Sequence, residues 1–359
     1  MGATVAATCH VTMRRVRGEV KRRIRNRIIY HLPMLLAADI GGTKTLIGLY
    51  ERDIDRPTPL VTREYATLDF ESFEELVETF LDETQRGAIE ALCAGIAGPV
   101  TGQVARLTSA PWIADADAIS TRLGGCRAGL INDLEAMASC IPVLEPHELR
   151  VLQEGVADPT GNAAVIAAGT GLGEALLHNL DGTFVPAASE GGHADFAPRN
   201  ARELELAADL IRTHGRVEVE RVISGKGLVN VFRFTHGARD ARAACDQIPR
   251  DIEGPEIAAA VSASALQRRC PRCVEALDLF VAAYGAEAGN LALRYMATAG
   301  VYIGGGIAPK ILPAITTGAF MDAFLDKEPM VDLLRTFPVQ VILNPAAGLL
   351  GAAVRAAEL

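Results

Sequence analysis

The sequence predicts an α/β protein built from two related half-domains, and two glycine-rich turns carry that prediction. The turns are Gly41-Gly42-Thr43 and Gly169-Thr170-Gly171. Apolar runs flank both turns, at 34–38 and 46–50 for the first and at 163–168 and 175–177 for the second. Each pattern indicates a β-hairpin whose tip exposes backbone N–H groups. Because glycine lets the backbone approach an anion closely, the pair predicts two half-domains facing one phosphate chain.

Strands and helices alternate along the rest of the chain, which is the pattern of an α/β architecture. Helical spacing of apolar residues predicts a helix over 71–85, and further helical stretches lie near 134–140, 201–213 and 274–298. Strand-like runs occupy 92–97, 128–131 and 301–303, and the last of them runs into Gly304-Gly305-Gly306. The proline-bounded region 142–146 is a candidate domain crossing. We therefore expect a small domain of 34–143 plus 342–359 and a large domain of 144–341.

Other phosphate-binding loops fit this chain less well. A Walker loop needs Gly-Lys followed by Ser or Thr, whereas Gly225-Lys226 is followed by Gly227. A Rossmann turn needs G-x-G-x-x-G at the start of a helix, whereas the second turn has the spacing G-x-G-x-G before an apolar strand.

Composition excludes several classes of function. With 359 residues, 49% hydrophobic and 22% charged, the chain is long enough for two globular domains. No apolar run reaches the roughly 20 residues that span a bilayer, so no membrane partner is expected. The net charge of −9 argues against nucleic-acid binding.

Residues 1–33 differ from the rest in carrying eight basic residues and a single acid, Glu19. A basic arm for a membrane surface or a nucleic acid is one interpretation. The segment lacks the apolar core of a secretory signal. Because the first core strand begins directly at Met34, we expect this extension to be dispensable.

The seven cysteines are odd in number and scattered, which fits a reducing cytoplasm. Cys270 and Cys273 form the C-x-x-C pair. A zinc site would need a second ligand pair, and we expect none in this chain. We therefore expect two structural thiols.

Asn132-Asp133 stands at the carboxyl end of a predicted strand, where open α/β sheets place their ligands. Asp133 there can take the proton of a hydroxyl that attacks a phosphoryl group. Asn132 can both donate to and accept from a sugar hydroxyl. By itself, the dipeptide favours a helix N-cap formed by Asp133 over a catalytic role.

A second polar constellation, 189–196, places Glu190 and His193 on one glycine-rich turn. Sugars are held by several charged or amide partners on adjacent hydroxyls, and this pair fits that requirement. A loop histidine with a core hydrogen bond is the plainer alternative.

Together these motifs resemble the bacterial ATP-dependent glucokinases of the hexokinase/actin-like ATPase superfamily. The resemblance covers roughly 34–359. The motifs that carry it are Asp39-Ile-Gly-Gly-Thr43, Ile131-Asn-Asp133, Gly169-Thr-Gly-Leu-Gly173, the run from Glu190 to Pro198, Glu220-Arg-Val-Ile-Ser-Gly225 with 227–230, Gly304-Gly-Gly306 and Asn344-Pro345. The family implies a two-lobed actin-like ATPase (ribonuclease H-like) fold with its active site in the interdomain cleft.

The resemblance also implies a role for each matching residue. Asp133 is the catalytic base toward the glucose 6-hydroxyl, and the other glucose hydroxyls are held by Asn132, Glu190, His193 and Glu220. ATP phosphates are contacted by Gly41, Gly42, Thr43, Gly169 and Thr170, and the adenosine is bordered by Gly304 and Gly305. Asp39 positions Mg²⁺. A cytoplasmic homodimer that makes glucose 6-phosphate at the entry to glycolysis follows from the same resemblance.

Lys44-Thr45 departs from the family, which commonly has Asn-Ala here, and Lys44 has three possible orientations: toward phosphate, toward sugar or toward solvent. Such a lysine is common in the related ROK kinases, whose zinc-binding Cys/His cluster is not evident in this sequence. A kinase for another hexose, polyphosphate as donor, and a sugar-sensing regulator without turnover remain alternatives.

Overall fold

The computed structural model describes residues 34–53, 55–84, 88–107, 111–237 and 245–359. The predictions for residues 1–33 therefore lie outside the described residues. The contacts divide the chain into two compact units. The first unit extends to Ile131 and includes Ala352–Leu359, and the second comprises Asn132–Gly351.

The first unit is built on a five-stranded sheet beside a small three-stranded one. Its strands are β1 (Met34–Ile40), β2 (Lys44–Glu51), β3 (Thr58–Ala66), β4 (Ile89–Ile96), β5 (Val100–Thr101), β6 (Val104–Arg106), β7 (Ile113–Asp115) and β8 (Arg127–Asn132). The spatial orders are β3-β2-β1-β4-β8 and β5-β6-β7. Helices α1 (Phe73–Thr84) and α2 (Ala116–Arg122) complete the unit. Helix α1 buries Phe73, Leu76, Val77 and Phe80, which confirms the helix predicted over 71–85.

The second unit is built on a six-stranded sheet. It contains helix α3 (Asp133–Ser139) and strands β9 (Leu149–Gln153), β10 (Ala163–Ala168), β11 (Leu172–Leu180), β12 (Thr183–Ser189), β13 (Gly300–Gly304) and β14 (Val339–Ile342). The spatial order is β12-β11-β10-β13-β14-β9. Its remaining helices are α4 (Ala201–His214), α5 (Gly225–His236), α6 (Pro255–Leu266), α7 (Pro271–Tyr295), α8 (Leu312–Ile315), α9 (Ala319–Leu325), α10 (Val331–Leu334) and α11 (Ala347–Glu358), the last of which ends in the first unit.

The two sheets share one topology. In each, an antiparallel hairpin (β1-β2 or β10-β11) is followed in space by a strand parallel to its first member (β4 or β13). Both predicted glycine turns are the tips of these hairpins. The expected α/β class and the repetition of one motif in two halves are confirmed.

The division between the units differs from the domain boundaries expected from the sequence. It lies at Ile131/Asn132 rather than after residue 143, because helix α3 packs against β10, β11 and β12 of the second sheet. It lies at Gly351/Ala352 rather than before residue 342, since β14 belongs to the second sheet.

Each unit has its own apolar core. The larger core packs α5, α6, α7 and α9 onto the second sheet, and α7 meets α9 where Gly285 and Gly289 leave room for the carbonyls of Phe320 and Phe324. These glycines lie four residues apart and thus share one helix face. Among the described helices, none combines the length and the apolar character that a bilayer crossing requires.

Candidate active site

Asp133 occupies the first position of helix α3, directly after strand β8. The N-cap is Asn132, whose Oδ1 accepts a hydrogen bond of 2.9 Å from the backbone N–H of Leu134. Asp133 Oδ1 also lies 2.9 Å from that N–H. The N-cap that the dipeptide by itself predicted at Asp133 is therefore one residue earlier, at Asn132, whose side chain makes the capping hydrogen bond.

The environment of Asp133 makes its carboxyl group unusually basic. Burial raises its pKa to about 6, and the negative charge of Glu190 acts in the same direction. Hydrogen bonds from the backbone N–H groups of Leu134 and Asp133 and from the Asn132 side chain lower the pKa and only partly oppose this rise. A carboxylate with a pKa near 6 is ionised at neutral pH and still basic enough to take up a proton, which suits a general base.

Helix α3 is seated against both glycine-rich turns of the second unit. A Cβ atom at Gly173 would collide with the side chain of Leu134, and a Cβ atom at Gly304 would collide with the sulfur of Met137. The two glycines therefore create the space that the helix fills. Close packing thereby sets the position of the Asp133 helix relative to the ends of β10 and β13.

The turn at Gly169 presents backbone to an open space. The Gly169 N–H donates to the Gly171 carbonyl at 2.8 Å, and the Gly169 carbonyl accepts from the N–H of Gly225, the first residue of α5, at 2.8 Å. Apart from Gly169 and its two chain neighbours, none of the described residues has an atom within 4 Å of the position that a Gly169 Cβ would take. An anion can thus approach this backbone closely.

Glu220 links this turn to the segment that carries Glu190 and His193. Its Oε2 accepts a 2.9 Å hydrogen bond from the N–H of Leu172, the residue that follows the turn. The ligand atoms of Glu220, His193 and Glu218 also lie within 4.8 Å of one another. Glu220 and His193, predicted to share one sugar, are therefore brought together.

The turn after β13 is held against the Gly169 turn. Gly305 has a φ of 82°, and a Cβ atom there would collide with the carbonyl of Ala168, so only glycine is readily accommodated. Ile307 N–H donates to the same carbonyl at 3.2 Å. The buried Tyr284 hydroxyl lies 3.2 Å from the N–H of Ala168 and 3.3 Å from the carbonyl of Gly304, and so connects the ends of both strands.

Glu190 and His193 flank a short 3-10 turn, Gly191–His193, and the imidazole lies between two carboxylates. Its Nε2 is 3.9 Å from Glu190 Oε2, and its Nδ1 is 3.1 Å from Glu218 Oε2. The Glu190 side chain is 76% exposed, whereas that of Glu218 is 18% exposed. Glu218 is therefore the fixed partner of the histidine, and Glu190 reaches outward.

Glu218 is a functional candidate that the sequence analysis missed. Arg221 pairs with it at 3.2 Å and Arg216 approaches it at 3.9 Å. An antiparallel bridge between Asp195 and Glu218 brings it beside the histidine turn. No sequence spacing indicates this pairing, because the two segments meet only through the fold.

Glu174 is a second residue that the sequence analysis did not single out. It is 1% exposed and lies on β11 immediately after Gly173. Burial raises its pKa to about 7, the nearby Glu287 adds to that rise, and Arg294 opposes it. Its Oε1 has no hydrogen-bond partner among the described residues. A Cβ atom at Gly191 would collide with its carboxylate, so this buried acid lies directly beneath the Gly191–His193 turn.

The first unit carries its own glycine turn at the tip of β1-β2. Gly41 N–H donates to the Lys44 carbonyl at 3.0 Å, and the Thr67 hydroxyl donates to the Gly41 carbonyl at 2.7 Å. Asp39 is half-buried near the end of β1. Lys44, whose orientation the sequence left open, forms an exposed 2.9 Å ion pair with Glu64.

The structure corrects the expectation that Cys270 and Cys273 have no second ligand pair. His236, at the end of α5, and Cys245 lie beside them, and the four ligand atoms are all within 4.8 Å of one another. The spacing concealed this cluster because three separate segments contribute to it.

Solved structures with the same fold are known. A glucokinase from an Antarctic psychrotroph superposes with a TM-score of 0.78 and 28% identity, covering 92% of this chain and 100% of that one. A ROK family glucokinase from Streptomyces griseus, in complex with glucose and AMPPNP, superposes with a TM-score of 0.60 and 21% identity, covering 91% and 100% of the two chains. The fold is thus that of the actin-like class of hexose kinases to which the glucokinase and ROK structures belong.

Sequence comparison identifies the particular family. The family model described as glucokinase matches residues 36–359. A glucokinase of Nostoc punctiforme is 40% identical over 341 residues, which cover 91% of this chain and 100% of that protein. The chain belongs to the glucokinase family, whose activity is ATP-dependent phosphorylation of glucose.

Proposed function

We propose that this chain transfers the γ-phosphoryl group of ATP to the 6-hydroxyl of glucose with Asp133 as the catalytic base. The observation that carries the proposal is the seating of helix α3 between the Gly173 and Gly304 turns, with a carboxyl group of raised pKa at its first residue. A basic carboxyl group close to the backbone that the family resemblance assigns to ATP supports this role for Asp133.

In the proposed reaction, Asp133 accepts the proton of the glucose 6-hydroxyl while the oxygen of that hydroxyl attacks the γ-phosphorus of ATP. The bond from that phosphorus to the β,γ-bridging oxygen breaks, and the products are ADP and glucose 6-phosphate. Phosphoryl transfer depends mainly on positioning and charge stabilisation, and a positioned base contributes roughly 10²- to 10⁴-fold.

The glucose hydroxyls are assigned to Asn132, Glu190, His193 and Glu220. The proximity of His193 to Glu220, and the electrostatic effect of Glu190 on Asp133, support a single sugar site. Glu218 joins this set as a positioning residue, because it binds His193 Nδ1 and leaves Nε2 for the ligand.

The family resemblance assigns the contacts with the nucleotide residue by residue. In the second unit, the assigned residues are Gly169, Thr170, Gly304 and Gly305. The open space beside Gly169 is compatible with a phosphate. In the first unit, the corresponding turn is Gly41, Gly42 and Thr43.

Asp39 is the residue assigned to Mg²⁺. A half-buried carboxylate is an oxygen donor of the kind that Mg²⁺ prefers, so the residue fits the ion. When bound, Mg²⁺ neutralises charge on the phosphates. A cytoplasmic location and a homodimeric state belong to the same proposal and follow from the family resemblance.

The decisive experiment is a coupled assay on glucose, mannose and glucosamine with either ATP or polyphosphate as donor. We expect turnover of glucose with ATP. Turnover of another hexose in preference to glucose would assign a different substrate, and glucose binding without turnover would indicate a sugar-sensing regulator.

The base assignment is tested by Asp133→Asn, which retains the Asn132 cap. We expect kcat to fall at least about 10²-fold with the melting temperature preserved. The matched control is Asp117→Asn, which alters the acid in the first turn of α2. Near-normal turnover of folded Asp133→Asn would contradict the role of Asp133.

A further inference from the structure

A cluster of soft metal ligands lies in the second unit and takes no part in the proposed reaction. Its members are His236, Cys245, Cys270 and Cys273. We propose that these four side chains bind one Zn²⁺ ion as a structural centre.

The geometry suits tetrahedral coordination. Three members are buried, Cys270 is half-buried, and all four ligand atoms lie within 4.8 Å of one another. His236 Nε2 lies 3.5 Å from Cys270 Sγ. Zinc bonds of about 2.3 Å to sulfur and about 2.0 Å to nitrogen separate two tetrahedral ligands by roughly 3.6 Å. One histidine and three cysteines also form an established donor set for structural zinc.

The histidine is oriented as zinc ligands usually are. Its Nδ1 lies 2.9 Å from the carbonyl oxygen of Phe232, one turn earlier on α5. Donation of the Nδ1 proton to that carbonyl leaves the Nε2 lone pair directed to the cysteines. Arg272 donates to the His236 carbonyl at 3.3 Å, and its positive charge offsets the negative charge of three thiolates on one divalent ion.

Two of the three sulfur atoms have backbone donors suited to a thiolate. Cys270 Sγ accepts from the backbone N–H groups of Arg272 and Cys273, and Cys245 Sγ accepts from that of Gln247. Backbone donors of this kind stabilise an ionised ligand.

Ser264 gives an independent indication. Its hydroxyl is buried, interacts with the Cys273 sulfur, and has no hydrogen-bond partner of conventional geometry in the described part of the chain. A thiolate at Cys273 supplies a strong acceptor for this hydroxyl.

The position of the cluster explains what the ion would do. Helix α5 begins at Gly225, which bonds to Gly169, and ends at His236, about 18 Å along the helix axis. Helix α7 begins next to Cys270 and carries Tyr284, which contacts the ends of β10 and β13. The ion therefore joins two helices, α5 and α7, at the ends that lie away from the Gly169 and Gly304 turns. With four protein ligands it has no open position for substrate, which defines a structural site.

The test uses the full chain, purified without metal-affinity resin, supplied with zinc sulfate and dialysed. We expect about one zinc per chain by elemental analysis, and after Co²⁺ replacement a thiolate-to-cobalt charge-transfer band in the near ultraviolet. Removal of zinc by a strong chelator should lower the melting temperature, because ions that bind only the folded state stabilise it.

Two ligand variants and one matched control complete the test. Cys270→Ser and His236→Gln should bind zinc at least about 10-fold more weakly, whereas Cys126→Ser, at a buried cysteine of the first unit, should bind it as the wild type does. If a ligand variant fails to fold, the cobalt spectrum of the wild type decides the question. A folded wild type that retains no zinc, a disulfide among the three cysteines, or equal zinc loss in Cys126→Ser would overturn the proposal.

Discussion

The Nδ1 atom of His193 lies 3.1 Å from Oε2 of Glu218, and this contact selects the nitrogen that His193 presents to a ligand. With Nδ1 engaged, Nε2 points toward the side of Glu190, 3.9 Å away. The pair acts like the carboxylate–histidine pairs that hold imidazole rings in one tautomer.

Glu218→Gln should raise the KM for glucose about 10-fold, because a charge-assisted hydrogen bond worth roughly 1.5–3 kcal/mol becomes a neutral one. The KM for ATP should change little. Steady-state kinetics with each substrate varied in turn gives both constants. Asp209→Asn, which removes an exposed ion pair with Arg212, is the control. A change confined to the KM for ATP would assign Glu218 to the nucleotide instead.

The pH dependence of kcat/KM should show an acid limb near pH 6. Below the Asp133 pKa of about 6, the carboxyl group is protonated and cannot accept the hydroxyl proton. Glu190→Gln removes a like charge that raises this pKa, so the limb should move to lower pH. The same variant should raise the KM for glucose by about 10- to 100-fold. If the acid limb stays in place or moves to higher pH, the charge of Glu190 does not raise the pKa of Asp133.

Glu174→Gln should stabilise the protein at pH 8 and change little at pH 4. The pKa of Glu174 rises from 4.5 to about 7 on folding, so the folded state binds the proton more tightly. Stability is therefore lost as pH rises from about 4.5 to 7, by on the order of 3 kcal/mol in total, and the uncharged glutamine avoids that loss. Urea unfolding at the two pH values measures the difference.

Glu203→Gln is the matched control for this effect. Glu203 is also 1% exposed, but it pairs with Arg199 at 2.5 Å. The neutral glutamine leaves the partly buried Arg199 without a negatively charged partner at this position, so this variant should be less stable than the wild type at pH 8. If both variants shift stability in the same direction, the unpaired character assigned to Glu174 is wrong.

A variant that begins at Met34 should keep the melting temperature and both KM values of the full chain. Strand β1 begins at Met34, and the family match begins at residue 36. A variant that begins at Ala38 should be strongly destabilised, because it also removes the fully buried Leu35 and Leu36. Thermal unfolding and the glucose assay compare the three proteins. A loss of stability or activity in the Met34 variant would show that residues 1–33 serve the core or the site.

Local patterns in the sequence were sufficient for the elements and the class of protein. Period-two and helical spacing located both hairpins and helix α1, since these periodicities arise from backbone geometry alone. The glycine turns and the Asn132-Asp133 pair could be recognised because their chemistry resides in adjacent residues. Motif order then led to the glucokinase resemblance, which the comparisons confirm.

Only the tertiary structure decided which distant side chains meet. The seating of α3 on Gly173 and Gly304, the boundary at Ile131/Asn132 and the His193–Glu218 pair all depend on how elements pack. The cluster of His236 with three cysteines shows the reason most clearly, because its Cys270 lies 34 residues from its histidine. Sequence periodicity shows which face of a helix is buried, but the side chains that this face contacts depend on the packing of the whole unit.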